Sequence, residues 1–395
     1  MPIASGLDLI ADQGFAPLLG KRVALVCNQS AVTQEFAHVL ELLLPLHRQG
    51  KLTIHIVFGP QHGLFGHTQD NMIEWEGRED RRTGLLFASL YGEHRKPRHE
   101  LLKDVDLMVI DLPDIGSRYY TFLWTTANCM EAASELGIPV MILDRPNPIG
   151  GLQREGPVLM KEYTSFVGLH PLPTRHGMTL GEVATYFRAE LFPSCDLEVI
   201  IVPGWSRGDY AEEAEATWTM PSPNMPTVDT AVVYPGGCLL EGANLSEGRG
   251  TTHPFEIVGA PWIDGWNLSK SMNDLCLPGV FFRPIQFQPT FQKHAGKLCS
   301  GCFVHVLDRR AFEPVLTYIA LLQETRRLYP DQLAWNPPPY EYEAEKLPID
   351  ILAGNGWLRP GIDELISLKD IRERMLFECA EFEPTRTRAL LYPHG

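Results

Sequence analysis

Basic residues are in the minority: 34 lysines and arginines stand against 49 aspartates and glutamates, a formal net charge of −15. That balance argues against a nucleic-acid partner or an anionic membrane surface, though a local arginine cluster could still hold a small anion. Cysteine is scarce, eight in 395 residues, too sparse for a disulfide framework. Cys27, Cys129, Cys195 and Cys238 lie in apolar contexts and read as buried thiols. Cys299 and Cys302 form one CxxC without a second pair or a histidine motif, a weak signal for zinc or redox chemistry. No apolar run is long enough to span a bilayer, and the N-terminal MPIASGLDLIADQG lacks the basic start and apolar stretch of a signal peptide. The expected location is therefore cytoplasmic. Also missing are GxGxxG and P-loop patterns, a G-x-S-x-G nucleophile turn, H-E-x-x-H and any dense histidine cluster. Neither a cofactor nor a metal is expected.

What is present is ordinary globular material, 44% apolar and 21% charged, with length for two or three domains. In the first half, short Val/Ile/Leu runs alternate with helical patterns. The runs are Arg22–Gln29, Leu52–Phe58, Leu107–Leu112, Val140–Leu143 and Leu197–Val202. The helical patterns are Phe36–Arg48, Thr125–Leu136 ending at Gly137, and Leu180–Leu191. Strands buried on both faces between helices predict an α/β fold, an open, mostly parallel sheet with helices on both faces. After about Tyr234 the alternation stops. Short β-like runs (Val280–Arg283, Phe303–Leu307) and helices at Ala311–Tyr329 and near Ile362–Glu378 predict a smaller α+β unit. We therefore expect a first domain over 1–235 and a second over 236–395, with a site where they meet. The segment Trp335–Tyr342, WNPPPYEY, reads as a rigid packed loop.

Polar residues cluster directly after the strands, where open α/β sheets hold their ligands. Gly59–Gly66 displays Gln61 and His62, the latter able to hydrogen-bond a ligand or merely to hold its loop. Gln69–Trp75 presents Asp70, Asn71 and Glu74 beside Trp75, a carboxyl next to an indole of the kind sugar sites use. Asp114, Arg118 and Tyr119 follow one strand; Asp144, Arg145 and Asn147 follow another, between stiffening prolines. His176 precedes Thr179, which reads as an N-cap with Glu182 as its capping-box partner. Asn224 lies in the rigid PSPNMP. The most unusual segment is Glu241–Trp262, which sets Glu241, Glu247, Arg249, His253 and Glu256 among glycines and threonines. Charges on a Gly-rich loop cost folding energy, and Phe255, Ile257 and Trp262 drive that loop toward a core. Loop carboxyls, arginines, asparagines and tryptophans together suit carbohydrate recognition and cleavage by carboxyl groups.

These strings resemble a bacterial family of exo-β-N-acetylmuramidases, the NamZ-type glycoside hydrolases. The blocks that carry the resemblance are GPQHG, SLYG at Ser89–Gly92, DIGSRYYT at Asp114–Thr121, DRPNP, RHGMTLGE at Arg175–Glu182, PSPNMPT at Pro221–Thr227 and YPGGCLLEGANLSEGRGTTHPFEIVGAPW at Tyr234–Trp262. The resemblance implies a Rossmann-like domain, a smaller domain, and a cleft between them that releases N-acetylmuramic acid from the non-reducing end of peptidoglycan fragments. It implies Glu74 as the acid across a small gap, since relatives carry an AGE-like string where this chain reads QDNMIEW. Many relatives also carry Glu in place of Gln61, and many are secreted. A non-catalytic sugar-binding protein, or a hydrolase of another amino sugar, is the alternative.

For the chemistry, Glu74 is the expected general acid. Glu241 or Glu247, with Glu247 ahead, is expected to supply the remaining carboxylate chemistry from the second domain. Arg249, ahead of Arg118 and Arg145, is expected to hold the lactyl carboxylate that distinguishes muramic acid, because a planar, permanent cation suits a buried carboxylate.

Overall fold

A computed structural model describes residues 3–69 and 77–393. The chain begins with α1 (Gly6–Asp12), then β1 (Arg22–Cys27), α2 (Val39–Arg48) and β2 (Thr53–Gly59). A short β3 (Arg78–Glu79) and β4 (Leu86–Ser89) come next, then β5 (Leu107–Asp111), α3 (Phe122–Leu136) and β6 (Val140–Leu143). A two-stranded ribbon of β7 (Glu155–Val158) and β8 (Pro173–Arg175) leads to α4 (Leu180–Glu190) and β9 (Leu197–Ile200). These strands, the ribbon aside, form one sheet in the order β3-β4-β2-β1-β5-β6-β9, every pair parallel except β3 with β4.

Along β1, Val23, Leu25 and Cys27 enter one hydrophobic cluster, while Ala24 and Val26 enter another. Successive side chains on a strand point to opposite faces, so both faces of the sheet are buried, as the unbroken apolar runs predict. Chain order reverses on either side of β1, and that reversal opens a crevice at the carboxyl ends of β1 and β5. Helix α2 starts three residues later than its apolar pattern suggests. Phe36 takes a left-handed φ of 64° and His38 caps the helix through its ring, accepting from the Leu40 amide. The Thr179–Glu182 capping box forms as read, and Gly137 closes α3 at a φ of 68°.

The second half begins with α5 (Val228–Gly237), a helix the sequence pattern did not predict, since its Pro235 and two glycines lower its propensity. Beyond it, β10 (Ile257–Ala260), α6 (Gly265–Asp274), β11 (Val280–Phe287) and β12 (Cys299–Val306) build an antiparallel sheet in the order β10-β12-β11. Cys299 and Cys302 both lie on β12, three residues apart, and pack into different hydrophobic clusters on opposite faces. That spacing on a strand cannot aim two thiols at one ion. Helix α7 (Pro314–Leu328) covers this half; α8 (Pro348–Ala353), α9 (Leu358–Asp363) and α10 (Leu368–Ala389) complete it. The single helix expected near Ile362–Glu378 is in fact two, separated at Leu365, which has a left-handed φ of 54°. The main hydrophobic cluster runs from β1 through α5 and α7 to α10, and α10 packs back on β7. Among the described residues no helix is long and apolar enough to cross a membrane.

Asp144 ties the sheet to this frame. It is fully buried after β6 and accepts from Thr179 Oγ1 at 2.6 Å, the Gly181 amide at 2.8 Å and Tyr392 Oη at 2.6 Å. Alanine at 144 strands three buried donors, so Asp144→Ala should lose about 3 kcal/mol in urea unfolding; a loss under about 1 kcal/mol, the weight of a single hydrogen bond, would show that water or neighbours replace the carboxylate.

Candidate active site

The glycine-rich segment lays a chain of alternating charges beneath a hollow. Gly248 and Gly250, at φ of 81° and 80°, bracket Arg249; a Cβ on Gly248 would meet Ile257 O at 2.6 Å, and one on Gly250 would meet Phe291 O at 2.7 Å. Only glycine fits such close backbone approaches, so the backbone delivers the guanidinium to one place. Arg249 Nη2 donates to Glu241 Oε1 at 2.6 Å, and its Nε lies 3.8 Å from Glu247 Oε1. Glu247 Oε2 in turn lies 2.7 Å from Lys293 Nζ, which also donates to Leu240 O and Ala243 O. Glu241, on the turn of 3-10 helix that follows α5, takes a further hydrogen bond from Tyr340 Oη at 2.7 Å. The Phe255 ring supports Arg249 from 5.3 Å and meets Tyr234 edge-on at 4.8 Å. Burial alone would raise the Glu247 carboxyl, but the Lys293 ammonium and the Arg249 guanidinium outweigh it and hold the pKa below its usual value.

Above this chain lies a partly open hollow of about 450 Å³, open solvent included. Its walls come from both halves of the fold. Gln61 and His62 after β2, and Tyr119 to Thr121 before α3, meet Asn224, Tyr234, Glu241, Arg249, Phe255, Tyr340 and Glu341. His62 takes a left-handed φ of 67°, and its Nδ1 is 2.7 Å from Thr68 O. Asn224 exchanges two hydrogen bonds with Gln69, 3.2 Å to its side chain and 3.1 Å to its carbonyl. Of the residues singled out in the sequence, the hollow therefore gathers Gln61, His62, Tyr119, Asn224, Glu241 and Arg249. Glu74 and Asn71 lie outside the described residues.

The others are placed elsewhere. Arg118 has no exposed surface: its two terminal nitrogens donate to four carbonyls, of Pro157, Leu172, Leu352 and Ala353, and the side chain binds the ribbon to α8. Asp144 joins β6 to α4 and the C-terminal segment, and Asn147 donates to Met178 O and accepts from the Ile149 amide, holding its own loop. His176 is fully buried; its Nδ1 accepts from the Met178 amide, so Nε2 carries the proton that faces Asp114 at 3.2 Å. Glu247 lies beneath Arg249, 1% exposed and outside the lining, so it touches the hollow only through that arginine. Arg145 grips Asp111 with two hydrogen bonds, 2.7 and 3.0 Å, at the crevice of β1 and β5. That crevice is larger and includes Asp8, Asp114 and several hydroxyl side chains, but most of the surface it exposes is apolar, whereas the surface of the smaller hollow is mostly polar. The smaller hollow, with unlike charges and several hydroxyls converging, is the better place for a polar ligand.

Sequence reasoning missed Glu341. It belongs to WNPPPYEY, which composition marks as a packed loop, and it is 2% exposed. Tyr91 Oη donates to its Oε2 at 3.0 Å and Gln61 Nε2 lies 3.4 Å from its Oε1. Desolvation by burial, with the nearby Glu241 charge adding to it, raises its pKa to about 7 against the hydrogen bond from Tyr91. No local signal marks it, because its partners lie some 250 and 280 residues away in sequence. Since the folded pKa is raised above 4.5, the protonated form favours folding, and that contribution disappears as pH rises through about 7. Glu341→Gln, which cannot ionise, should therefore gain stability relative to the unmodified protein between about pH 5 and pH 8; a difference that stays constant over that range would place an ionised carboxylate there throughout.

The comparisons agree over nearly all of the chain. The family models Exo-beta-N-acetylmuramidase NamZ, N-terminal, and Exo-beta-N-acetylmuramidase NamZ, C-terminal, match residues 23–229 and 232–392. The peptidoglycan beta-N-acetylmuramidase NamZ of Bacillus subtilis (strain 168) is 41% identical over 390 residues, covering 99% of this chain and 91% of that protein. Two crystal structures of DUF1343 family proteins from Bacteroides fragilis NCTC 9343 share the fold. One has a TM-score of 0.87 at 32% identity over 99% of both chains; the other has 0.74 at 27% over all of both.

Proposed function

The chain belongs to the family of NamZ exo-β-N-acetylmuramidases, and we propose that it hydrolyses the β-linkage of N-acetylmuramic acid at the non-reducing end of peptidoglycan-derived saccharides. The observation that carries this reading is the hollow itself. It sets two buried carboxyls, Glu241 and Glu341, and one guanidinium, Arg249, among tyrosine, glutamine and asparagine side chains. Glycoside hydrolysis needs a carboxyl that holds a proton and another that carries charge near the anomeric carbon. Glu241, fixed by Arg249 and Tyr340, suits the charged role, stabilising the cationic transition state or orienting the acetamido group. Glu74 as proton donor rests on the resemblance alone.

Arg249 is the proposed anchor for the lactyl carboxylate. Arg118 is enclosed in the core and Arg145 engages Asp111 and Val32 O at the other crevice, so of the three only Arg249 lines the hollow. A second carboxylate beside Arg249 would share a guanidinium already held by Glu241, which suits a planar cation with several donors better than an ammonium.

Incubation with the disaccharide of N-acetylmuramic acid β-linked to N-acetylglucosamine should release both sugars catalytically; stoichiometric binding without turnover would instead indicate a sugar-binding protein. Arg249→Lys should cut kcat/KM for that disaccharide about 10–100-fold, the weight of a charged hydrogen bond. On the corresponding glucosaminide, which has no lactyl group, the loss should be smaller, since there only the hold on Glu241 is disturbed. Equal losses on both would remove Arg249 as the anchor.

A further inference from the structure

The segment that carries Glu341 has an uncommon backbone. Tyr340 and Glu343 exchange both of their backbone hydrogen bonds at 2.9 Å, so Glu341 and Tyr342 are the two residues at the tip of a tight hairpin. Both take left-handed φ, 46° and 68°. Two-residue turns with positive φ at both positions are the usual place for Asn-Gly, and a glutamate followed by a tyrosine adopts them only under constraint. The constraint is visible. Tyr342 meets the Tyr91 ring edge-on at 5.8 Å and takes the Arg95 guanidinium over its face at 4.2 Å, while Tyr340 is held by Glu241.

The turn thus directs one acidic side chain into the hollow, and three residues of the first half orient it. Thr121 Oγ1 donates to Gln61 Oε1 at 2.6 Å, Gln61 Nε2 reaches Tyr91 Oη at 3.1 Å, and Tyr91 Oη donates to Glu341. Among the described residues no cation stands within ion-pair distance of Glu341, whereas Glu241 in the same hollow has Arg249 at 2.6 Å. The two carboxyls of one cavity are therefore placed in opposite electrostatic settings, the arrangement that separates an acid from a charged partner.

We infer that Glu341 is the catalytic proton donor, protonating the glycosidic oxygen in the hollow whose charged carboxylate is Glu241. The inference rests on the hydrolase reading and names the acid within it. As the bond from the anomeric carbon to that oxygen breaks, its electron pair stays on the oxygen, which takes the Glu341 proton and leaves as the hydroxyl of the released sugar. A water oxygen bonds to the anomeric carbon, and the proton it sheds returns, directly or through solvent, to the Glu341 carboxylate. The groups that set its protonation are Tyr91, Glu241, Arg249 and Arg95, with burial the largest influence. A carboxyl held at about 7 retains its proton in a substantial fraction of molecules at neutral pH and can still surrender it.

The test compares two leaving groups. The unmodified protein is assayed first on the muramic acid–glucosamine disaccharide; failure there overturns the hydrolase reading itself, which distinguishes it from a wrong choice of acid. Glu341→Gln should lose ~10²–10⁴-fold in kcat/KM on the disaccharide. On the 2,4-dinitrophenyl muramide, whose leaving group departs without a proton, the loss should be small, under about tenfold by the same logic. Equal losses on both substrates overturn the assignment, as does leaving-group dependence in Glu74→Gln without it in Glu341→Gln. If Glu341→Gln does not fold, Tyr91→Phe gives the answer another way. Removing the hydrogen bond that lowers the Glu341 pKa should move the alkaline limb of kcat/KM to higher pH, and an unmoved limb overturns the proposal.

Discussion

Everything in the hollow depends on where Arg249 is held. The guanidinium sits between Glu241 and Glu247, and Glu247 is balanced by Lys293, so four charges alternate in sign and cancel. Charges this deeply buried are tolerated because each has an unlike neighbour and because backbone carbonyls take up the remaining lysine donors. Taking away one member leaves its partner buried and unpaired, a cost of several kcal/mol. The glycines on either side of Arg249 exist for the same reason, since no side chain fits where the backbone must pass. The odd composition of Glu241–Trp262 is thus the imprint of one electrostatic arrangement.

That arrangement also explains how two carboxyls in one cavity can differ. Glu241 receives donors from Arg249 and Tyr340. Among the described residues, Glu341 receives one phenol hydroxyl and a long contact from an amide, and the Glu241 charge lies near it. Burial raises the Glu341 pKa first and the neighbouring Glu241 charge adds to it; Glu341 and the charge chain meet where the second half of the chain closes over loops from the parallel sheet.

The sheet was legible because parallel strands buried on both faces read as unbroken aliphatic runs. Val140–Leu143 coincides with β6, and β1, β2, β5 and β9 lie within a residue or two of the runs that predict them. Helix α5 was not legible, since proline and glycine inside it argue locally for a turn while packing overrides them. Glu241 and Arg249, which line the hollow, stand out in the sequence because charge on a Gly-rich loop is costly enough to need a reason. Asp144, Asn147, His176 and Arg118 look alike in sequence, polar groups after strands among prolines and glycines, yet the fold uses them to hold loops and helix ends. Buried polar groups that serve structure and those that serve chemistry share the same residue types, and only their partners tell them apart. Glu341 shows the converse: a proline- and tyrosine-rich strap carries no local mark of chemistry, and its role arises from contacts with residues hundreds of positions earlier.

The most direct measurement is a crystal structure of the Glu341→Gln protein with the muramic acid–glucosamine disaccharide bound. The muramic acid ring should occupy the hollow with its lactyl carboxylate on Arg249, and the glycosidic oxygen should lie within about 3.5 Å of the residue-341 amide, hydrogen-bond reach. A disaccharide seated instead in the crevice of β1 and β5, beside Asp114 and Arg145, would contradict this account of the site.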